Sequence, residues 1–324
     1  MLSQGDLSFI FYKFPDSSII VVASFVILAA MTKRAQIPFS AWLPAAMAAP
    51  APVSALVHSS TLVTAGVYLL IRFYPIISSV GGGQVLFFTG SLTMIMSRVG
   101  ALYETDLKKV IALSTLRQLG LMMMALSAGL CILAFFHLLA HALFKACLFL
   151  CAGGVIHLYG GRQDVRDLRV VGEYMPWTRI RMGVCSFALG GVPFLSAFYS
   201  KDKIIEERFE GGFRVLFLGF LIVSIALTII YSLRLIKFIV GERYSNILGG
   251  LEDKPLVLWP IGCLTLGAIF GGSLIRWLFL DLSYDNLFLS IKTGLLLILF
   301  LGLISGLFIS LPPLSFIGFY FSFI

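Results

Sequence analysis

Residues 73–97 and 118–144 contain no Lys, Arg, Asp or Glu. Intervals that long cannot present a whole surface to water, and about 20 mostly apolar residues are what a helix needs to cross a bilayer. Mostly apolar stretches recur at about 17–47 (broken), 53–73, 84–102, 107–127, 130–158, 178–208 (broken), 213–238, 256–279 and 288–311. Only 12% of the 324 residues are charged, against roughly 25% in a soluble domain, and the mean hydropathy is +0.99. A water-soluble globule is excluded. The expected fold is an all-α integral membrane bundle of about nine spans, two of them discontinuous.

The formal net charge of +8 does not point to nucleic acid, because the basic residues form neither a run nor a stripe interleaved with exposed aromatics. They orient the spans instead. If the spans alternate, the loops near 98–109, 162–181 and 234–254 share one side. They carry Arg98, Lys108, Lys109, Arg162, Arg166, Arg169, Arg179, Arg181, Arg234, Lys237, Arg243 and Lys254, whereas the other side has Arg72, Lys201, Lys203, Arg208, Arg214, Arg276 and Lys292. By the positive-inside rule the richer side faces the cytoplasm or matrix. Cys131, Cys147, Cys151, Cys185 and Cys263 lie in apolar stretches without a C-x-x-C pair, which reads as buried, inert thiols. The N-terminal residues, with Asp6, Lys13 and Asp16, lack the basic region and cleavage site of a signal peptide.

Ionisable groups at membrane depth are costly and mark function by default. Lys33 closes an apolar run and precedes Pro38 and Pro44. Two prolines six residues apart cannot sit in one unbroken helix, so the first broken span is interrupted near Lys33. A lysine snorkelling to the headgroups fits that segment equally well. In the next span Ser54, His58 and Thr61 follow i, i+4, i+7 spacing and share one helix face, either as a packing stripe or as part of a proton path.

His137, His141 and Lys145 repeat at i, i+4 and i+8, a column about 12 Å long at 1.5 Å per residue. Such a column can pass protons. A packing stripe and an H-x-x-x-H metal pair are the alternatives, the latter short of ligands because no carboxylate or third histidine shares that face. Finally, Gly190, Gly191 and Pro193 interrupt an apolar run that then reaches Lys201 and Asp202. Paired Gly/Pro-interrupted segments are the sequence sign of ion sites built from discontinuous helices. Burial drives a lysine toward its neutral form and a nearby carboxylate restores its charge, while an imidazole exchanges protons near neutrality unaided. The 105–109 segment, Thr105-Asp106-Leu107-Lys108-Lys109, reads as a capped, headgroup-facing helix start.

These residues carry a family resemblance. The run Thr32-Lys33-Arg34-Ala35-Gln36-Ile37-Pro38-Phe39-Ser40-Ala41-Trp42-Leu43-Pro44, continuing through Pro52-Val53-Ser54-Ala55-Leu56-Val57-His58-Ser59-Ser60-Thr61 to Arg72, resembles the subunit 5 family of respiratory complex I, the proton-pumping NADH:ubiquinone oxidoreductase, in its mitochondrially encoded animal form. Asp106-Leu107-Lys108-Lys109, His141-Ala142-Leu143-Phe144-Lys145-Ala146 and Phe198-Tyr199-Ser200-Lys201-Asp202 extend the resemblance over about residues 20–240.

The resemblance implies an antiporter-like repeat fold: residues 1–83 as the end of a first repeat, 84–240 as a second, and 241–324 as C-terminal spanning helices. It also implies a proton-relay role for Lys33, His58, His137, His141, Lys145, Lys201 and Asp202. No cofactor is expected in this chain; NADH, FMN, iron-sulfur clusters and ubiquinone would act elsewhere in the assembly. The expected partners are other membrane-arm subunits, especially a neighbouring antiporter-like subunit, and phospholipid, in the mitochondrial inner membrane. Against the family pattern, the first part of the fold, with the glutamate that pairs with the lysine at Lys33, has no counterpart, nor has a lateral helix after Pro312-Pro313. Arg34 and Arg117 stand where small residues are usual. A subunit of a cation/proton antiporter is the alternative function, and a purely structural membrane scaffold a third.

Overall fold

The computed structural model describes residues 16–57, 61–166, 175–210 and 255–279, with isolated helical positions at 228, 232–233, 294, 297, 300–302 and 304. The chain is all-α; among the described residues the only bridge pairing is an isolated antiparallel one between Asp106 and Asp164. In chain order the helices are α1 Asp16–Lys33, α2 Trp42–Ala45, α3 Ala51–Ala55, α4 Leu62–Arg72, α5 Tyr74–Ser79, α6 Gly83–Tyr103, α7 Leu107–Ser127, α8 Cys131–Leu158, α9 Pro176–Gly190, α10 Ser196–Glu210 and α11 Pro255–Phe279.

Four of these are long and apolar enough to cross a membrane: α6, α7, α8 and residues 258–278 of α11. Of the nine expected spans, those at 213–238 and 288–311 lie outside the described residues apart from isolated positions. Both predicted interruptions are present. The first broken span ends its helix at Lys33, and the second divides into α9 and α10, each of 15 residues and too short to cross alone.

The span expected at 53–73 is not one helix. It falls into α3 and α4, and Thr61, exposed at the N-cap of α4 rather than inside a helix, turns its hydroxyl to the Leu56 carbonyl at 2.9 Å. A hydroxyl that satisfies a carbonyl locally competes with helix continuation. Ser54, buried in α3, and Thr61 therefore do not share a helix face, and His58 lies outside the described residues.

The surface is built inside out compared with a soluble protein. Phe25, Phe88, Phe270 and Leu274 are exposed while Arg34, Arg117, His137, His141 and Lys145 are buried. Apolar surface of that extent requires a nonpolar surrounding. On α11, Trp259 and Trp277 are exposed at opposite ends, about 27 Å apart at helical rise, which matches aromatic belts on the two faces of a bilayer.

The helices approach closely through small residues, as packing in lipid favours. A Cβ on Gly120 of α7 would stand 2.8 Å from the Gly90 carbonyl of α6, and one on Gly272 of α11 would stand 2.5 Å from the Cα of Ser196 at the start of α10. Around α8 are arranged α3, α4, α7, α9, α10 and α11. The amide of Leu107 donates to the Gln163 carbonyl at 3.0 Å and that of Val165 to the Thr105 carbonyl at 2.9 Å. These bonds tie the loops near 98–109 and 162–181 together, so the two lie on the same side, as the charge distribution requires; the loop at 234–254 lies outside the described residues.

Three smaller expectations are corrected. Lys108 is buried rather than headgroup-facing, because its Nζ donates to the Ala49 carbonyl at 3.0 Å and so closes the end of the short turn after α2. Asp106 makes no side-chain cap; its carboxylate pairs with Lys109 at 2.7 Å instead. Cys147, Cys151 and Cys185 are buried, but Cys131 is half-buried and Cys263 is exposed on α11, on the apolar outer side with Leu266 and Phe270.

Candidate functional site: a buried histidine and lysine column

The long helix α8 carries His137, His141 and Lys145 at four-residue spacing, and all three are buried. Their partners come from α7, which runs antiparallel beside α8, and from α10. His137 lies 3.1 Å from the Gln118 side-chain oxygen through Nε2 and 2.8 Å from the Ser200 hydroxyl through Nδ1. With the amide oxygen accepting, Nε2 donates, and Nδ1 is left to accept from Ser200. The rings of His137 and His141 have centroids 6.5 Å apart, and Phe144 meets the His141 ring edge-on at 5.4 Å. Among the described residues neither ring nitrogen of His141 has a hydrogen-bond partner.

At the far end of the column the Lys145 ammonium donates to the Ile111 carbonyl at 3.0 Å and to the Ser114 hydroxyl. The α7 contacts at Ile111, Ser114 and Gln118 thus follow i, i+3, i+7 spacing and form one face of that helix. That face answers the α8 column position by position. A buried ammonium or imidazole is tolerable only with such partners.

The break between α9 and α10 completes the site. The last carbonyls of α9 have no intrahelical donors, and each is accounted for. Gly191, at φ 87°, ends the helix in the left-handed conformation that glycine adopts without steric cost. Its amide donates to Phe187 and Ala188, and the amide of Val192 donates to Phe187. The Leu189 carbonyl receives Arg117 Nη2 at 3.3 Å and the Gly190 carbonyl receives Lys201 Nζ at 2.9 Å. A helix C-terminus carries partial negative charge, so two cations are held where the backbone invites them. Lys201 is buried and Asp202 beside it half-buried, close enough for its charge to act on Lys201. Ser200, next to Lys201 in α10, is the residue that reaches His137, so the helix break and the α8 column are one connected site.

Lys33 does not join this cluster. It is exposed at the end of α1, while the adjacent Arg34 is buried, with its Nη1 on the sulfur of Met123 and its side chain against Gly66. Gln36, also buried, accepts the Thr93 hydroxyl at 2.6 Å. Among the described residues no three of His, Cys, Asp or Glu come together as metal ligands would.

Gln118, Ser114 and Ser200 are functional candidates that are not ionisable, and Arg117, which stood out in the sequence only as a departure from the family pattern, joins them. The signal for two of them was available: Ser114 and Gln118 form an i, i+4 polar pair in an otherwise apolar span. Ser200 offered no such signal, because its partner lies 63 residues away.

Comparison with known proteins agrees on family and fold. The family described as NADH:quinone oxidoreductase/Mrp antiporter, TM, matches residues 6–228, and that described as NADH dehydrogenase subunit 5 C-terminus matches residues 231–322. The NADH-ubiquinone oxidoreductase chain 5 of Anopheles quadrimaculatus is 46% identical over 322 residues, 98% of this chain and 56% of that protein. Its counterpart in Locusta migratoria is 47% identical over 291 residues, 88% of this chain and 50% of that one. Among solved structures, that of the Mrp complex from Dietzia sp. DQ12-45-1b superposes with a TM-score of 0.78 at 26% identity, covering 93% of this chain and 35% of the other. The chain spans about half the length of the curated relatives it matches.

Proposed function

The chain belongs to the NADH:quinone oxidoreductase/Mrp antiporter transmembrane family, and from that membership we propose that it is a proton-translocating membrane-arm subunit of an NADH:ubiquinone oxidoreductase, respiratory complex I, in the mitochondrial inner membrane. The names of its insect relatives and the match of residues 231–322 to the subunit 5 C-terminus support this reading over a cation/proton antiporter subunit. NADH, flavin, iron-sulfur clusters and ubiquinone belong to other subunits, and no step in this chain runs through them. Neighbouring membrane-arm subunits, among them a second antiporter-like one, and phospholipid surround it.

The observation that carries the proposal is the buried column His137, His141, Lys145, joined through Ser200 to Lys201 at the break of a discontinuous helix. Each group binds one proton and releases it to a neighbour. His141 stands between His137 and Lys145, its ring 6.5 Å from that of His137, and passes a proton between them. His137 rearranges between Gln118 and Ser200, and Lys145 rests on a carbonyl and a hydroxyl that both accept from the ammonium.

Lys201 is the exit-side store, with Asp202 as the charge that favours its protonated form. Lys33 is the input group. Its exposure at the end of α1 leaves it open to a carboxylate of a neighbouring subunit, and His58, which lies outside the described residues, is assigned to the relay by the family resemblance alone. Charge shifts transmitted from neighbouring subunits drive the protons onward.

To test this, complexes carrying His141→Ala or Lys145→Ala are reconstituted into vesicles, and proton uptake is measured against NADH oxidation. Both variants are expected to assemble and to move several-fold fewer protons per NADH. A normal ratio in either assembled variant would contradict the relay.

A further inference from the structure

Beyond its first turn, α7 carries a single charged residue, Arg117. Its side chain is 1% exposed, and it holds the Leu189 carbonyl one residue before the carbonyl that Lys201 holds. It also occupies the turn between Ser114, which binds Lys145, and Gln118, which binds His137. Arg117 therefore stands at both parts of the site, the α8 column and the helix break, and among the described residues that do so it is the charged one. His137, His141, Lys145 and Lys201 all lie within its electrostatic reach, and Arg98 of α6 and Asp202 of α10 are the further charged groups acting on Lys201.

A guanidinium does not give up its proton in a protein. The four other cationic sites fill and empty while Arg117 stays charged. Like charges in a buried site oppose one another, and Arg117 stands in the helix turn between the residues that bind Lys145 and His137, so its fixed charge counts against the protons the column holds.

Building on the relay reading above, we propose that Arg117 is a positioning residue whose permanent charge, anchored on the α9 terminus, keeps neighbouring relay sites from being filled together. A proton that enters the column then displaces one already in it. Without the fixed charge, Lys145 and Lys201 can both stay protonated, each on its own carbonyl, and the column becomes a trap.

The test compares Arg117→Gln, which keeps a donor for the Leu189 carbonyl and removes the charge, with Arg117→Lys. The latter restores a cation there only while its ammonium is protonated and is therefore measured at the acid end of the working pH range, with the unmodified complex beside it. Each is measured as assembled complex in vesicles by protons moved per NADH oxidised. Arg117→Gln is expected to fall at least threefold and Arg117→Lys to stay within twofold of the unmodified complex. Normal pumping by Arg117→Gln, or equal loss in both assembled variants, overturns the proposal. If Arg117→Gln fails to assemble, Arg117→Lys decides: normal pumping upholds the need for a cation there, and assembly with pumping lost overturns it. Failure of both to assemble gives Arg117 a packing role and likewise overturns the proposal. His141→Ala, run in parallel, separates the two levels. If it too pumps normally, the relay itself is wrong; if it loses pumping while Arg117→Gln does not, only the role of Arg117 fails.

Discussion

At both helix breaks the chain turns on a residue of positive φ, Ala35 at 53° and Gly191 at 87°, and a proline follows within three residues. The hydrogen bonding is parallel too. Gln36 donates back to Met31 across the first turn, and Val192 donates to Phe187 across the second. What fills the two breaks differs. The first is packed by α4 and α7, where Gly66 and Met123 receive the buried Arg34, and its lysine points outward. The second adjoins α8 and the polar face of α7, and its lysine turns inward onto the freed Gly190 carbonyl. The same backbone device thus yields a buried guanidinium in one place and, in the other, a buried lysine whose neighbour Ser200 reaches the column. The neighbouring helices, not the break, decide the chemistry.

Several substitutions probe that contrast. The largest effect is expected at the glycine facing the second break. A side chain at Gly272 would meet the Ser196 backbone at 2.5 to 2.6 Å, which cannot give way, whereas the nearest atom to one at Gly66 would be the Arg34 side-chain Cγ at 2.9 Å, which can shift without moving the backbone. Gly272→Val is expected to abolish assembly, with Gly66→Ala costing about 1–3 kcal/mol of overpacking, both read from the yield and thermal stability of the purified complex. Equal losses would mean that the two breaks are packed alike.

Next comes the turn itself. Gly191→Ala places a β-carbon in the left-handed region and 3.2 Å from Lys201 Nζ, and is expected to cost about 1–2 kcal/mol and to lower pumping. Ala35→Gly relieves the same backbone strain and is expected to be neutral or stabilising by about 0.5–1 kcal/mol. Thermal unfolding of the two variants checks the opposite signs.

Within the first break, Arg34→Ala removes a wholly buried side chain and is expected to lower the amount of assembled complex. Lys33→Ala is expected to leave assembly intact and to change only proton uptake; immunoblotting after native electrophoresis distinguishes them. The smallest effect is expected for Lys109→Ala, which breaks only the partly exposed pair with Asp106, worth about 0.2–1 kcal/mol or less.

The legible parts of this molecule were those set by local rules. The α8 column could be read because a helix repeats its faces every three to four residues, and both breaks could be read because proline and glycine punctuate a chain wherever they occur. Which of Lys33 and Arg34 is buried could not be read. Consecutive residues point about 100° apart on a helix, and periodicity gives no orientation where the helix stops. The fate of Lys108 depends on the Ala49 carbonyl 59 residues away, and Arg117 is joined to Leu189 across 72 residues. Contacts of that range arise from packing, which local patterning does not encode. The split between α3 and α4 was hidden for a related reason: Thr61 fits an apolar helix by composition, yet its hydroxyl is spent on Leu56.

The central claim is that the second break holds a proton-carrying lysine joined to the column. The most direct measurement is the number of protons moved per NADH oxidised by a reconstituted complex carrying Lys201→Ala. That complex is expected to assemble, still to oxidise NADH and to move several-fold fewer protons per NADH. An assembled complex with the normal ratio would contradict it.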